Sequence, residues 1–100
     1  MTLVYITCKD EKEAERISTH LLEKRLIACA NIFPIKSMYW WSNKIAKHNE
    51  NAIIAKTNNR NFKKIVAEVK KMHSYEIPCI LKLDAAANSD YGAWAKKELR

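Results

Sequence analysis

Residues 39–45 read Tyr-Trp-Trp-Ser-Asn-Lys-Ile, so three adjacent aromatic side chains precede a short polar pair. Asn tolerates a positive φ, and Ser42-Asn43 is therefore typical of a two-residue hairpin turn. Neighbouring residues of a strand point to opposite faces, so Trp40 and Trp41 cannot both face the core of one protomer. One indole is either half-exposed at the hairpin end or covered by another copy of the chain.

Long strands are predicted on both sides of this turn. The first runs from Ala28 to Trp41, and Pro34 within it lacks an N–H group, which predicts a bulge or a sheet edge there. The return strand runs from Lys44 to Thr57 and is strongest at residues 52–55. Its polar middle, residues 47–50, suggests a break or a second bulge.

Strand and helix signals alternate around this hairpin. Residues 3–8 form a β-prone run, followed by the N-cap Asp10 with Glu13 in a capping-box pattern, which predicts a helix to about Lys24 or Arg25. Asn58-Asn59 is expected to cap a second helix with an apolar stripe that begins at Phe62. Pro78 then turns the chain into a strand over residues 79–83, and Ser89 is expected to cap a short last helix.

The resulting order, β-α-β-β-α-β with a terminal helix, predicts an α+β fold of the ferredoxin-like type in a single domain, residues 1–100. Two helices should cover one face of an antiparallel sheet. The long aromatic ribbon would extend beyond them with unpaired edges. Such a ribbon invites pairing with another chain, so self-association is expected.

Composition excludes several protein classes. The chain is 48% hydrophobic and 29% charged, and Gly92 is its only glycine, so no glycine-rich phosphate loop can form. No apolar run approaches the roughly 18–20 residues of a membrane span. The charged residues near the N-terminus do not fit a secretory signal, and three widely spaced cysteines suggest reduced thiols. We therefore expect a cytoplasmic protein that makes no use of a membrane.

The net charge of +7 arises between Lys36 and Lys82. A basic excess of this kind is either a solvated surface or a footprint for nucleic acid. Residues 53–55, in the apolar part of the return strand, lack the aromatic side chains on which RNA-binding sheets stack bases. Any nucleic-acid binding through residues 36–82 should therefore be weak, indifferent to sequence and abolished by moderate salt.

Potential metal ligands are few, and none has a motif spacing of the Cys-x-x-Cys kind. His73, Met72, Cys8 and Cys29 are soft or borderline ligands that suit copper better than hard cations. The predicted topology places the strand that ends at Cys8 beside the strand that follows His73. These four residues are the candidate metal ligands, with copper as the expected ion and other divalent cations left open.

A second predicted constellation combines aromatic and polar side chains in a ligand cleft around His73. Aromatic walls with a few polar groups favour small-ligand binding. Its other members are Trp40, Lys56, Tyr75, Glu76, Tyr91 and Trp94. His73 and Glu76 could exchange protons, but no nucleophile stands beside a base, so we expect a protein that is not an enzyme.

Five ordered motifs resemble the CutA family of divalent-cation tolerance proteins, and the resemblance extends over essentially the whole chain. They lie at residues 6–11, 26–34, 39–45, 73–78 and 88–94. The chain differs from the usual family pattern in having Ser42-Asn43 for Glu-Gly, Ser74 for Pro and Cys79 for Glu. Positions proposed as copper ligands in some members are occupied here by Ile6 and by Met72-His73.

The resemblance implies a ferredoxin-like protomer in a tight homotrimer, similar to the PII signalling proteins. It also implies a role in tolerance to copper and other divalent metal ions, with no established catalytic reaction. Because Ile6 and Met72 replace two proposed ligands, a copper site here should be weaker or differently built. Three functions are therefore considered: a trimeric metal-tolerance or signalling module, a PII-like sensor of a small ligand, and a weak nucleic-acid binder.

Overall fold

The computed structural model describes residues 1–100 and has the predicted α+β order. The elements are β1 (Thr2–Cys8), α1 (Glu11–Glu23), β2 (Cys29–Trp41), β3 (Lys44–Thr57), a 3₁₀ turn (Asn59–Asn61), α2 (Phe62–Met72), β4 (Ile80–Asp84) and α3 (Ser89–Glu98). The four strands form one antiparallel sheet in the order β2-β3-β1-β4. The βαββαβ order with a long β2–β3 hairpin and a C-terminal helix is thereby confirmed.

The core lies between the sheet and the helices α1 and α2. Alternate residues of β1, from Val4 to Cys8, are buried, and they meet α1 and α2 through side chains such as Ile17 and Ile65. This pattern follows from the two-residue repeat of a strand, which sends every second side chain to the helix side. The other face of the sheet, which we call the open face, carries Leu81 and Leu83 among its side chains.

The β2–β3 hairpin has almost the predicted length but is more regular than predicted. Its register is continuous, with Pro34 directly opposite Asn51, so the predicted bulge at Pro34 is wrong and the edge alternative is correct. The expected break at residues 47–50 is also absent. Pro34 is tolerated because an edge strand leaves alternate N–H groups without a partner in the sheet.

The turn at the hairpin tip matches the prediction. Ser42 and Asn43 both have positive φ, 50° and 61°. Two left-handed residues give the turn the twist that joins two antiparallel strands without splaying them. Because the tip extends away from the helices, the molecule measures 45 × 25 × 21 Å.

Several element ends differ from the prediction, and the starts of α2, β4 and α3 are among them. Asn58 caps the 3₁₀ turn through a 3.0 Å bond from the Asn61 N–H, and α2 follows only after it. The fourth strand begins at Ile80, not at Cys79. The N-cap of α3 is Asn88, and Ser89 is the first helical residue. Each shift is one to three residues, which is the usual uncertainty of element boundaries.

Candidate metal centre and adjoining groove

Three side chains that could bind a metal ion converge where β1 ends and α1 begins. One ligand atom each of Cys8, Glu13 and His73 lies within 4.8 Å of the other two. Cys8 ends β1, Glu13 is in the first turn of α1, and His73 is the C-cap of α2. The Asp10 carboxylate accepts a 2.8 Å bond from the Glu13 N–H and sets the start of α1, which holds Glu13 near Cys8.

His73 is held by the backbone through both ring nitrogens. Its Nε2 lies 2.8 Å from the Thr7 carbonyl oxygen, and its Nδ1 lies 3.0 Å from the Tyr75 backbone nitrogen. Since an N–H group can only donate, Nδ1 must be the acceptor and Nε2 must carry the hydrogen. These partners therefore assign a neutral imidazole with a defined tautomer.

Glu13 is a buried carboxylate, 1% exposed, with a partner for each oxygen. Oε1 accepts from the Lys9 N–H at 2.9 Å, and Oε2 accepts from the Ser74 N–H at 2.8 Å. Burial raises the pKa of Glu13, but these hydrogen bonds outweigh burial and keep the pKa below its usual value. The predicted capping box is thus half formed, because Asp10 accepts from the Glu13 N–H, whereas the Glu13 carboxylate accepts from the Lys9 N–H and not from the N–H of the N-cap.

Cys8 is fully buried. Burial, followed by the nearby charges of Glu13 and Glu50, raises the pKa of the Cys8 thiol to about 12. A neutral, buried thiol is a poor nucleophile, and the His73 nitrogens are already bonded to the backbone. The Cys-His-Glu trio therefore lacks the activated thiolate on which a cysteine hydrolase depends.

The donor set nevertheless suits a transition-metal ion. A thiolate, an imidazole and a carboxylate are ligands that zinc and copper accept, at bond lengths of roughly 2.0–2.3 Å. Two ligands of one tetrahedral ion stand roughly 3–4 Å apart, so atoms within 4.8 Å need only a small contraction. The residues fit a metal in chemistry and in spacing, provided that their present hydrogen bonds give way.

Two of the four predicted metal ligands belong to this cluster and two do not. Cys8 and His73 are brought together, as the topology suggested. Cys29 lies at the start of β2, where the Lys56 Nζ approaches its Sγ at 3.6 Å, and Met72 packs against the core. Glu13 was missed because a Glu in the first helical turn is normally a solvated capping residue, and only its burial shows otherwise.

A groove of about 900 Å³ adjoins the cluster. One wall is the outer part of the β2–β3 hairpin, residues 36–50, which we call the distal hairpin and which includes Trp40 and Trp41. The other wall is the segment after α2, residues 74–77. The Tyr75 hydroxyl donates to the Glu50 carboxylate, which is 6% exposed. Burial, then the bond to Glu50, raises the pKa of Tyr75 above its usual value. The groove therefore combines aromatic walls with a neutral phenol and a buried carboxylate.

The six residues that were predicted to form a cleft with His73 divide between two regions. Trp40, Tyr75 and Glu76 line the groove. Lys56, Tyr91 and Trp94 lie at the opposite end of the sheet, where Tyr91 is close to Cys29 and its ring centroid is 5.4 Å from that of Trp94. Lys56 is separated along β3 from the partner of Trp40 by roughly 36 Å, at about 3.3 Å per residue. A single cleft containing all six residues does not exist within the protomer.

The cluster and the groove are in direct contact through Tyr75. Its ring centroid lies 4.8 Å from that of His73, while its hydroxyl reaches Glu50 on β3.

None of the helices of the protein is both long and apolar enough to cross a membrane.

Comparison with known proteins agrees with the resemblance that the five sequence motifs indicated. Residues 2–98 match the family model described as CutA1 divalent ion tolerance protein. A relative from Archaeoglobus fulgidus named "Divalent-cation tolerance protein CutA" is 54% identical over 77 residues, covering 77% of this chain and 76% of the relative. A relative of the same name from Thermotoga maritima is 41% identical over 100 residues and covers 99% of both chains.

Solved structures show the same fold over the full chain. The CutA of Archaeoglobus fulgidus, described as a periplasmic divalent cation tolerance protein, superimposes with a TM-score of 0.97 at 43% identity and covers 100% of both chains. CutA1 of Pyrococcus horikoshii gives a TM-score of 0.95 at 35% identity, covering 100% of this chain and 99% of the other. Sequence, fold and coverage agree, and the chain belongs to the CutA1 divalent ion tolerance family.

Proposed function

We propose that this chain is a non-enzymatic divalent-cation tolerance protein that binds the cation itself, with copper as the expected metal. The convergence of Cys8, Glu13 and His73 carries the proposal, because it gathers a sulfur, an oxygen and a nitrogen ligand within 4.8 Å. Membership of a divalent ion tolerance family supports a role for metal, and the soft donor set favours copper or zinc over calcium or magnesium.

A competition titration tests this site. Copper, held as Cu(I) without oxygen, and Zn(II) would each be titrated against a coloured chelator in wild type, His73→Ala, Cys8→Ala and the matched control Cys29→Ala. We expect the first two variants to lose at least tenfold in affinity, and the control to bind like wild type. Binding should weaken as the pH falls, since protons compete for the thiolate and the imidazole. Equal affinity in all four proteins would exclude the site.

We further propose that the functional form is a homotrimer with a metal-dependent or signalling role. Support comes from apolar side chains that the protomer leaves uncovered: Trp40 is 73% exposed, and Leu81 and Leu83 on the open face are 52% and 50% exposed. Large exposed apolar surfaces mark association sites. Light scattering coupled to size exclusion should give three times the 11.6 kDa chain mass at micromolar concentration. A monomer at that concentration would disprove the assembly.

A PII-like small-ligand sensor is the second candidate function, and the groove favours it. Its volume of about 900 Å³ is in the range of small-molecule sites, and its walls are aromatic with a few polar groups. Native mass spectrometry of protein purified from its host should then show a retained small molecule, displaced in Trp40→Ala. The absence of any retained molecule would favour the metal function alone.

The cytoplasmic location expected from the sequence stays a prediction.

A further inference from the structure

We infer that metal binding at Cys8, Glu13 and His73 releases the segment of residues 74–77 and thereby alters the groove. The inference rests on the proposed metal site and adds its regulation. The segment is tied to the ligands themselves, since the Ser74 N–H donates to Glu13 and the Tyr75 N–H donates to His73. The atoms that would bind the metal are thus the ones that hold this segment in place.

The imidazole cannot bind a metal and keep the Tyr75 bond. If the metal takes Nδ1, it occupies the lone pair that accepts from the Tyr75 N–H. If it takes Nε2, the neutral ring must carry its hydrogen on Nδ1, which then faces the Tyr75 N–H as a second donor. The Tyr75 N–H therefore loses its acceptor by either route, and the Thr7 carbonyl loses its donor in the second.

Glu13 adds a second tether that metal binding weakens. Its Oε2 holds the Ser74 N–H at 2.8 Å, while Oε1 holds the Lys9 N–H on the other side. A carboxylate oxygen that donates electron density to a cation is a poorer acceptor for a backbone N–H. Ligation through Oε2 therefore loosens Ser74, the residue next to the Tyr75 bond that is lost.

Release of these two amides reaches the groove because the same residues form its wall. Ser74, Tyr75, Glu76 and Ile77 all line it, opposite the aromatic side chains of the distal hairpin. Ile77 is 73% exposed, so little packing holds the far end of the segment. Once the backbone tethers are lost, the bond from the Tyr75 hydroxyl to Glu50 is the remaining polar anchor of this wall. Metal occupancy in the buried cluster thereby becomes a change in one wall of the groove.

Amide hydrogen exchange of the purified protein in its native assembly, with and without Zn(II), tests the release of residues 74–77 one residue at a time. We expect the exchange of Ser74 and Tyr75 to accelerate about tenfold on zinc binding, the effect of losing one hydrogen bond. The His73 N–H is the matched control, because its 2.9 Å bond to the Val69 carbonyl ends α2 and involves no ligand atom. Nitrogen chemical shifts of the His73 ring would report the metal-bound atom in the same sample.

The outcomes separate this inference from the proposed function. Zinc that binds through Cys8 and His73 without accelerating Ser74 and Tyr75 would overturn the release and leave the metal site intact. Failure of zinc to bind through these residues would remove both.

Ser74→Pro provides a second measurement. It deletes the Ser74 N–H together with the Ser74 hydroxyl, which also acts on Glu13, so Ser74→Ala is measured beside it as the matched control. His73 already has the extended backbone that precedes proline, with φ −75° and ψ 140°. Because the variant lacks a tether that zinc must loosen, it should bind zinc about fivefold more tightly. Unchanged or weaker binding would contradict the release.

Discussion

The two halves of the β2–β3 ribbon have the same strand pattern and opposite surroundings. In the basal half, Ile53 faces α1 and α2 and is fully buried, whereas in the distal half Trp40 and Ile45 point to that same side of the sheet and are mostly exposed. The cause is the difference in length between the helices and the strands of the ribbon. The 13 residues of α1 span about 20 Å, but the 14 residues of β3 span about 46 Å.

This difference shows that an apolar strand face is not sufficient for burial. The basal half is stabilised within the protomer by a helix layer that reaches it. The distal half carries equally apolar side chains beyond the reach of that layer, so a second molecule is needed to cover them. Substitutions in the two halves should therefore affect different equilibria.

The largest effect is expected for Trp40→Ala, in the distal half. If a neighbouring protomer encloses the indole, its loss should weaken assembly by about 3–5 kcal/mol, the usual cost of removing a buried Trp side chain. Mass photometry over a dilution series would measure the dissociation. Lys47→Ala is the control, since this exposed residue lies on the same face of the ribbon. Identical dissociation of the two variants would contradict the comparison.

The next effect is expected for Ile53→Ala, in the basal half. It should lower the free energy of unfolding by about 2–5 kcal/mol, because it leaves a cavity between the sheet and the helices. Denaturant unfolding measures this loss, while dissociation of the folded assembly should match wild type. Ile54→Ala is the matched comparison for Ile53→Ala, because the Ile54 side chain points to the open face and not to the helices. An Ile53→Ala protein that folds normally but fails to assemble would reverse the assignment.

A smaller effect is expected at the hairpin tip. Asn43 has a φ of 61°, which glycine adopts without the steric cost that other residues pay. Asn43→Gly should therefore stabilise the protein by up to about 1 kcal/mol, and Asn43→Ala should destabilise it by a similar amount. Thermal unfolding of the two variants at one protein concentration would check the opposite signs. If the unfolding temperature shifted in the same direction in both variants, the geometry of the turn would not limit the stability of the distal half.

The smallest effect concerns the helix layer above the basal half. Bonds from Lys71 and His20, at 2.9 Å and 2.8 Å, lower the pKa of Glu68 to about 2. A carboxyl group with a lowered folded-state pKa stabilises the fold fully above pH 4.5 and progressively less as the pH falls towards 2. The stability difference between wild type and Glu68→Gln should therefore shrink across that window, by a small amount because its partner Lys71 is largely exposed to solvent. A difference that stays constant from pH 6 to 3 would refute this.

The candidate site was only partly predictable from the sequence. Strand order places Cys8 near His73, and the structure shows that the two side chains are close, because this closeness depends on topology alone. Their role as metal ligands stays a prediction. Glu13 escaped prediction because its environment depends on Ser74, which is 61 residues away along the chain. Lys56 and Tyr91 were grouped with Trp40 because side-chain chemistry carries no information on distance along a long strand.

The sequence by itself determined the element order, the hairpin turn and the division of each strand into two faces. These features depend on local backbone preference and on the two-residue repeat, which neighbouring residues set among themselves. Tertiary structure alone decided that Pro34 needs no bulge, that the polar residues 47–50 continue β3, and that Glu13 is buried close to Cys8 and His73. Those outcomes depend on the register of distant strands and on which polar groups find partners once water is excluded, and neither is encoded in a local pattern.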